Sequence, residues 1–256
     1  MTADEARTRR RRLVSLLHAR LGEFRVRVEM ALRIIATARS HGRICVSVSG
    51  GKDSTVLLDL IRHVDADSPA VWFDSGAELQ STQDFLATLP NLLVIHPAHT
   101  VIDLWKMHGF GGHPATNKDG APKLHRTLIA EPAERALKIT GCTVSALGLR
   151  MDESAGRKMS GKVHGPLHQT GTNWRLCPLL DWTERDIWAY IHSREIGYNA
   201  AYDVMESIGL PAKAQRVSTN LDGNALQYGR FVYLKKMEPE AFNRLAADFP
   251  KLRSYA

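Results

Sequence analysis

The stretch VSVSGGKDSTVLLDL, Val46 to Leu60, decides how this chain is read. The β-branched run RICVSV, Arg43 to Val48, ends just before the glycine pair Gly50–Gly51, which predicts a short buried strand followed by a turn. STVLLDLIRHV, Ser54 to Val64, then has the length and apolar spacing of a helix. Ser49 to Ser54 therefore joins a strand to a helix N-terminus, and such a junction is an anion site on physical grounds. Gly50 and Gly51 let the backbone approach a ligand and adopt positive φ. The N–H groups of the loop and of the first helical turn can point at phosphate oxygens, and the helix dipole adds to the attraction. Ser49 and Ser54 offer hydroxyl donors and Lys52 a point charge. Asp53 would repel phosphate directly, so it serves in another way, by ordering the loop or by holding Mg²⁺.

Two common phosphate loops are excluded by spacing. The pattern G-x-x-x-x-G-K-[ST] fails at both ends, because Val46 stands five residues before Gly51 and Asp53 follows the lysine. The dinucleotide pattern G-x-G-x-x-G is also unmet.

Outward from the loop, strands and helices alternate. PAVWFDSG (Pro69–Gly76), NLLVIHPA (Asn91–Ala98) and TVSALGLR (Thr143–Arg150) read as strands. ELQSTQDFLATL (Glu78–Leu89), TLIAEPAERALKITG (Thr127–Gly141) and DWTERDIWAYIHSREIG (Asp181–Gly197) read as helices. Thr183 followed by Asp186 forms a capping-box pattern. The fold class this implies is α/β: a three-layer, mostly parallel sheet with helices on both faces and a small irregular C-terminal appendage. Three regions are expected: residues 1–40, a basic arm followed by one or two helices from Leu13 to near Gly42; residues 41–200, the nucleotide-binding domain; and residues 201–256, an extension ending in a short helix over Pro239–Phe249. Met107–Arg126, rich in Gly, His and Pro, and the similar Ser154–Arg175 read as long loops.

Composition narrows the class further. With 44% hydrophobic and 24% charged residues, the chain is ordinary for a globular protein, and no apolar run is long enough to span a membrane. The N-terminus has no apolar signal core, which argues against secretion. Three widely spaced cysteines, Cys45, Cys142 and Cys177, form no CxxC pair and suggest buried thiols in a reducing, cytoplasmic setting. The net charge is +7, part of it concentrated in Arg7 and Arg9 to Arg12. That cluster reads either as a solvated terminus or as a nucleic-acid contact. Trp182 and Trp188, at helical spacing, read as core. The histidines of the first long loop and its approach, His96, His99, His108, His113 and His125, do not match a compact metal site.

SGGKDS after an apolar strand resembles the loop of the PP-loop ATP pyrophosphatases, and three further stretches place the likeness in their phosphoadenylylsulfate reductase-like branch. FDSG (Phe73–Gly76) is similar to that branch's D-T/S-G at the end of the second strand. LGLRMDESAGR (Leu147–Arg157) is similar to its G-x-R-x-x-E-S-x-x-R element, and CPLLDWTERDIWAYI (Cys177–Ile191) to its P-L-x-x-W-T-x-x-D-I-W-x-Y-I helix. The likeness runs from about Ile44 to Tyr202. It implies ATP as ligand, with the loop on the β,γ-pyrophosphate and cleavage between the α and β phosphates. It places Ser49, Gly50, Gly51, Lys52, Asp53, Ser54, Phe73, Asp74, Gly76 and Gly148 at the nucleotide, with adenine against the backbone of Val71–Phe73. Asp53 and Asp74 are the implied Mg²⁺ contacts. Lys52, Asp53, Arg150 and Arg157 are the residues assigned to the chemistry, the two arginines on phosphate or substrate oxyanion at the C-terminal edge of the sheet, where open parallel sheets bind ligands.

The departures are as informative. The reductases of this branch carry a catalytic cysteine near the C-terminus, whereas no cysteine follows Cys177 here; IGLPAKAQRVS (Ile208–Ser218) stands where iron–sulfur members carry a cysteine pair. Neither thiol reduction nor an Fe–S cluster is expected. The branch also contains the small subunit of ATP sulfurylase, whose R-R-D-E-E stretch is more charged than Leu149–Glu153, and the ATP pyrophosphatases of DNA phosphorothioation. Adenylylation in sulfur metabolism follows, with phosphorothioation of DNA as the first reading, sulfate adenylylation as the second and a non-catalytic ATP-sensing subunit as the third. The partners this implies are a cysteine desulfurase or another sulfur-modification subunit, and DNA through Arg7–Arg12. No membrane contact is expected, and oligomerisation is left open.

Overall fold

The computed structural model describes residues 3–110, 125–217 and 230–255. A six-stranded sheet in the order β3-β2-β1-β4-β6-β5 forms the middle layer. Its strands are β1 (Ile44–Ser47), β2 (Ala70–Phe73), β3 (Leu92–Ile95), β4 (Val144–Ala146), β5 (Leu167–Thr170) and β6 (Asn173–Leu176). All neighbouring pairs are parallel except β5 with β6, which form an antiparallel hairpin at the edge. β1 is central, and Ile44, Cys45 and Val46 are buried although they alternate between faces. Both faces must therefore be covered, which is why Ile44–Val46 read as an unbroken apolar run.

The helices are α1 (Ala3–His18), α2 (Gly22–Arg39), α3 (Lys52–Val64), α4 (Gln80–Ala87), α5 (Val101–His108), α6 (Glu131–Thr140), α7 (Ala155–His164), α8 (Glu184–Ser193), α9 (Ala201–Ser207), α10 (Arg230–Met237) and α11 (Pro239–Asp248). α3 buries Val56, Leu57, Leu60 and Ile61, an i, i+1, i+4, i+5 stripe toward the sheet. α8 buries Ile187 to Ile191 without interruption, because α1 and α3 pack on it from different sides. Trp182 is 2% exposed and Trp188 7%, both in the core as their spacing predicted. The three cysteines are buried and unpaired.

Successive strands run from β1 out to β3 in one direction, and β4 then takes the other side of β1. The order reverses there, so the loop after β1 opens onto the crevice where doubly wound sheets bind ligands. Among the described residues no helix is long and apolar enough to cross a membrane.

Three expectations need correction. Ser154–Arg175 is not one long loop: it folds as α7 and the β5–β6 hairpin. α7 buries none of its residues and contains Gly156 and Gly161, so it carries no apolar stripe; it is started by Ser154, whose hydroxyl accepts from the Arg157 N–H. The hairpin turns at Gly171, at φ 62°, and depends on β4 for its third partner, which no local pattern shows. Second, the arginine cluster does not precede the first helix but lies inside α1. Third, the C-terminal stretch is more helical than expected, with α9 and α10 preceding the anticipated last helix. The other expected loop, Met107–Arg126, falls mostly on residues 111–124, outside the described residues.

Candidate nucleotide-binding site

The loop between β1 and α3 is closed by its own hydroxyls. Ser54 Oγ donates to the Gly51 carbonyl at 2.9 Å and accepts from the Ser49 N–H at 3.2 Å. Thr55 Oγ1 donates to the same carbonyl at 3.0 Å. Gly50 has φ 69°, and a Cβ there would stand 2.6 Å from Thr82 Cγ2 on α4, so both conformation and space demand glycine. Gly148, after β4, sits against the start of α3: a Cβ on it would lie 3.1 Å from the carbonyl carbon of Asp53 and from the Ser54 nitrogen. The two loops flanking the switch point thus touch backbone to backbone.

The charged groups of this edge converge. Lys52 is 7% exposed, and its Nζ lies 3.4 Å from Asp53 Oδ2 and 3.6 Å from Glu184 Oε1. It also stands 5.3 Å from the centre of the Tyr202 ring. Burial alone would lower the lysine pKa; Asp53, Tyr202 and Glu184 outweigh it against Arg150, and the net shift is upward, so Lys52 is a cation. Arg150, 4% exposed, pairs through Nε with Asp53 and through Nη1 with both oxygens of Asp152 at 2.6 and 2.8 Å. Its pKa too is raised, burial being overcome by Asp53, Asp152 and Glu153. Arg157 pairs with Glu153, whose carboxylate also accepts the Arg150 N–H at 3.1 Å. Asp152 further accepts the Glu184 N–H at 3.3 Å. Three cations therefore face four carboxylates in one connected set.

Of the residues singled out in the sequence, Lys52, Asp53, Arg150 and Arg157 belong to this set, and Gly148 packs beneath it. Asp53 bridges Lys52 and Arg150, which makes it a loop-ordering group in this arrangement. Asp74 stands at the end of β2, its Oδ1 accepting from the Gly76 N–H at 2.9 Å and its Oδ2 3.5 Å from His96 Nδ1. Gly76 has φ 78°, and a Cβ there would meet Thr100 at 2.7 Å. Phe73 packs beside the small cluster of Cys45, Val71, Ile95, Ala136 and Cys142. Among the described residues no group of three or more His, Cys, Asp or Glu is arranged to hold a metal ion. A Mg²⁺ carried on phosphates needs only one or two protein carboxylates, and Asp53 and Asp74 are donors of the right kind.

Sequence reading missed Glu184, Asp152 and Tyr202. Glu184 is the first residue of α8, where an acid reads as a helix-dipole partner. Asp152 lies inside the quoted Leu147–Arg157 stretch, two residues after Arg150, where no motif position marks it. Tyr202, 3% exposed, accepts the Lys52 N–H on its hydroxyl at 3.1 Å, across 150 residues of chain, and nothing local announces that. Cys177, just past β6, is buried, and burial pushes its thiol up to about 11 against the pull of Arg175 and Arg157.

A doubly wound sheet with a Gly-Gly-Lys loop at its switch point, and buried cations around that loop, defines a nucleotide-binding α/β protein. The sequence model of the phosphoadenosine phosphosulfate reductase domain matches residues 43–210, and the chain belongs to that family. Its relatives include a phosphoadenosine 5'-phosphosulfate reductase of Alkalilimnicola ehrlichii, 27% identical over 205 residues, covering 78% of this chain and 80% of the relative. An adenosine 5'-phosphosulfate reductase of Geobacillus thermodenitrificans is 29% identical over 225 residues, covering 81% and 88%. Among solved structures, phosphoadenylyl-sulfate reductase from Candida auris in a phosphate complex superposes with a TM-score of 0.51 at 19% identity, covering 71% of this chain and 86% of that one. Candida glabrata FMN adenylyltransferase, in complex with FMN and an ATP analogue, superposes with a TM-score of 0.51 at 17% identity, over 75% and 68% of the two chains. These two likenesses concern the fold, and they agree with the mostly parallel sheet expected from the sequence.

Proposed function

We propose that this protein is an ATP pyrophosphatase that cleaves between the α and β phosphates and transfers AMP to an acceptor. The observation that carries the reading is the convergence of Lys52 and Arg150 on the glycine loop at the switch point, both buried and both held charged. In this reading the loop N–H groups and Lys52 take the β,γ-pyrophosphate, and Arg150 faces the α phosphate or the acceptor oxyanion. Ser49, Ser54 and the backbone of Gly50 and Gly51 line the phosphate path, and Phe73, Asp74, Gly76 and Gly148 border the nucleoside. An acceptor oxygen attacks the α phosphorus, the bond to the bridging oxygen breaks, and pyrophosphate leaves with the bonding pair. Stabilising that charge is positioning plus electrostatics, the work of fixed cations in a water-poor site. Asp53 and Glu184 release Lys52 as the phosphates arrive. The surplus of carboxylates fits a ligand that arrives with Mg²⁺, which neutralises phosphate charge when bound.

The relatives named as sulfonucleotide reductases support an adenosine nucleotide and a role in sulfur metabolism. Reduction itself finds little support in these residues: no cysteine follows Cys177 in the 256 residues, and Cys177 is a buried thiol held well above neutrality. Modification of DNA with sulfur supplied by a desulfurase is the acceptor chemistry we favour, and sulfate is the alternative. A subunit that binds ATP without turnover is a third reading, against which the intact Lys52–Asp53–Arg150 set argues.

The test is ATP labelled at the α phosphate, with Mg²⁺, with and without sulfate and with and without duplex DNA. Pyrophosphate is expected, with the α-label in AMP where water is the acceptor or in the adenylylated acceptor where one is supplied, and turnover reduced at least about a hundredfold in Lys52→Ala. The additive that stimulates release identifies the acceptor. ADP and phosphate as products would overturn the reading.

A further inference from the structure

Tyr202 enters the loop from outside every motif that marks the site. Its oxygen takes the N–H of Lys52, and Lys52 is the first residue of α3. That N–H is one of the helix N-terminal donors that have no partner within the helix and that, in a phosphate loop, face the anion. A phenol accepts and donates at once, so with a lone pair given to Lys52 it still has its own O–H to offer. The same oxygen lies 3.4 Å from where a Cβ on Gly51 would stand, so it borders the glycine whose missing side chain opens the cradle. The ring face lies under Lys52 Nζ, at 5.3 Å from its centre. Burial raises the phenol pKa, with Asp53 and Glu184 acting in the same direction against Lys52, so the hydroxyl keeps its proton.

The placement of Tyr202 is built from three sides. Asn199, fully buried, accepts the Ala201 N–H at 2.9 Å and donates to Thr82 Oγ1 on α4 at 3.0 Å, the threonine that Gly50 abuts. Trp188 of α8 meets the Tyr202 ring edge to face at 5.5 Å. Arg11 of α1 pairs with Asp203 and, at 2.6 Å, with Glu206, the residues next to Tyr202 and one turn on along α9. These contacts fix the start of α9 against α1, α4 and α8, and with it the position of the Tyr202 hydroxyl at the loop.

We propose that Tyr202 is a phosphate-binding residue: its oxygen takes the Lys52 N–H, its ring seats the Lys52 ammonium, and its O–H is given to an oxygen of the bound polyphosphate. The cradle is thereby completed by a residue 150 positions beyond the loop. The inference rests on the nucleotide reading above and adds a donor to it.

The experiment is calorimetric titration of wild type and Tyr202→Phe with Mg·ATP, magnesium pyrophosphate and adenosine, with thermal melting of both proteins alongside. Phenylalanine keeps the ring over which Lys52 lies and removes only the hydroxyl. The expected result is that ATP and pyrophosphate each bind about tenfold more weakly, while adenosine is unchanged to within about twofold. A lower melting temperature with all three affinities unchanged, or all three weakened alike, would assign Tyr202 to packing and overturn the inference alone. Wild type that binds none of the three would overturn the nucleotide reading, and the inference with it.

Discussion

Two ion networks lie on opposite sides of α8, and they are built for different ends. At the sheet edge, Lys52, Arg150 and Arg157 face Asp53, Asp152, Glu153 and Glu184. On the side covered by α1 and α2, Asp186 is fully buried and is held by His18 at 2.8 Å, Arg27 at 3.1 Å and the Thr183 cap, while Arg11 lies over Trp188 at 4.2 Å and pairs with α9. The first network has more carboxylates than cations, and an arriving anion can take the place of one of them. The second is centred on Asp186, whose carboxylate has no exposure, with His18 packed beside the ring of Phe24 and Arg11 over that of Trp188. Both contain buried charge, but in the proposed reading only the first exchanges a partner for a ligand.

The comparison can be broken by removing one carboxylate from each side. Asp186→Ala leaves His18, Arg27 and the start of α8 without their acceptor, and the expected loss is about 3–5 kcal/mol, or roughly 10 °C in melting temperature. Inorganic pyrophosphate should not restore it. Asp53→Asn leaves Lys52 with Glu184 and Arg150 with Asp152, so the expected loss is smaller, about 1–3 kcal/mol. Magnesium-free pyrophosphate should recover most of that and bind more tightly than to wild type. Equal behaviour of the two variants toward pyrophosphate would erase the distinction between the networks.

A pH titration sharpens it further. His192 stacks on Trp188 at 5.7 Å, and its Nε2 has no hydrogen-bond partner among the described residues. Burial first, then Arg11 and Arg12, push the imidazole down from 6.5 to about 4 against the pull of Asp203. The unfolded chain therefore binds the proton before the folded one does. Stability on this side is full above pH 6.5 and falls as pH drops from there toward 4. Urea unfolding of wild type should show that slope, and His192→Gln should flatten it. The smallest effect belongs to the exposed pair Arg12–Glu195 at 3.1 Å, where Arg12→Ala should cost under about 0.5 kcal/mol.

Much of the network at the sheet edge was legible in the sequence, and little of the one around Asp186. A strand, a glycine pair and a helix start lie within a few residues, so the loop and its anion preference follow from local rules. Lys52 and Asp53 come with it, and Arg150 and Arg157 come from a motif at the end of a strand. What joins them is long-range. The Asp53–Arg150 pair spans 97 residues and the contact of Lys52 with Tyr202 spans 150. The arginines of α1 looked like a solvated run because their acceptors, Asp203, Glu206 and Glu195, sit nearly two hundred residues away. The β5–β6 hairpin was missed for a related reason, since its pairing with β4 is set by the sheet and not by its own alternation.

The position of β4 in the sheet has a consequence for the order in which a chain is made. Synthesis delivers β1, the glycine loop, α3, β2 and β3 in succession, and these can pair side by side as they emerge. β4 must then add on the far side of β1, and Gly148 and Arg150 arrive only with it. A chain halted before residue 148 therefore owns the whole loop but lacks Gly148, Arg150, Glu184 and Tyr202, with Asp53 left to Lys52 alone. Nucleotide can draw folding forward only once β4 has docked, so the last-made half of the domain decides when the first-made half becomes a site.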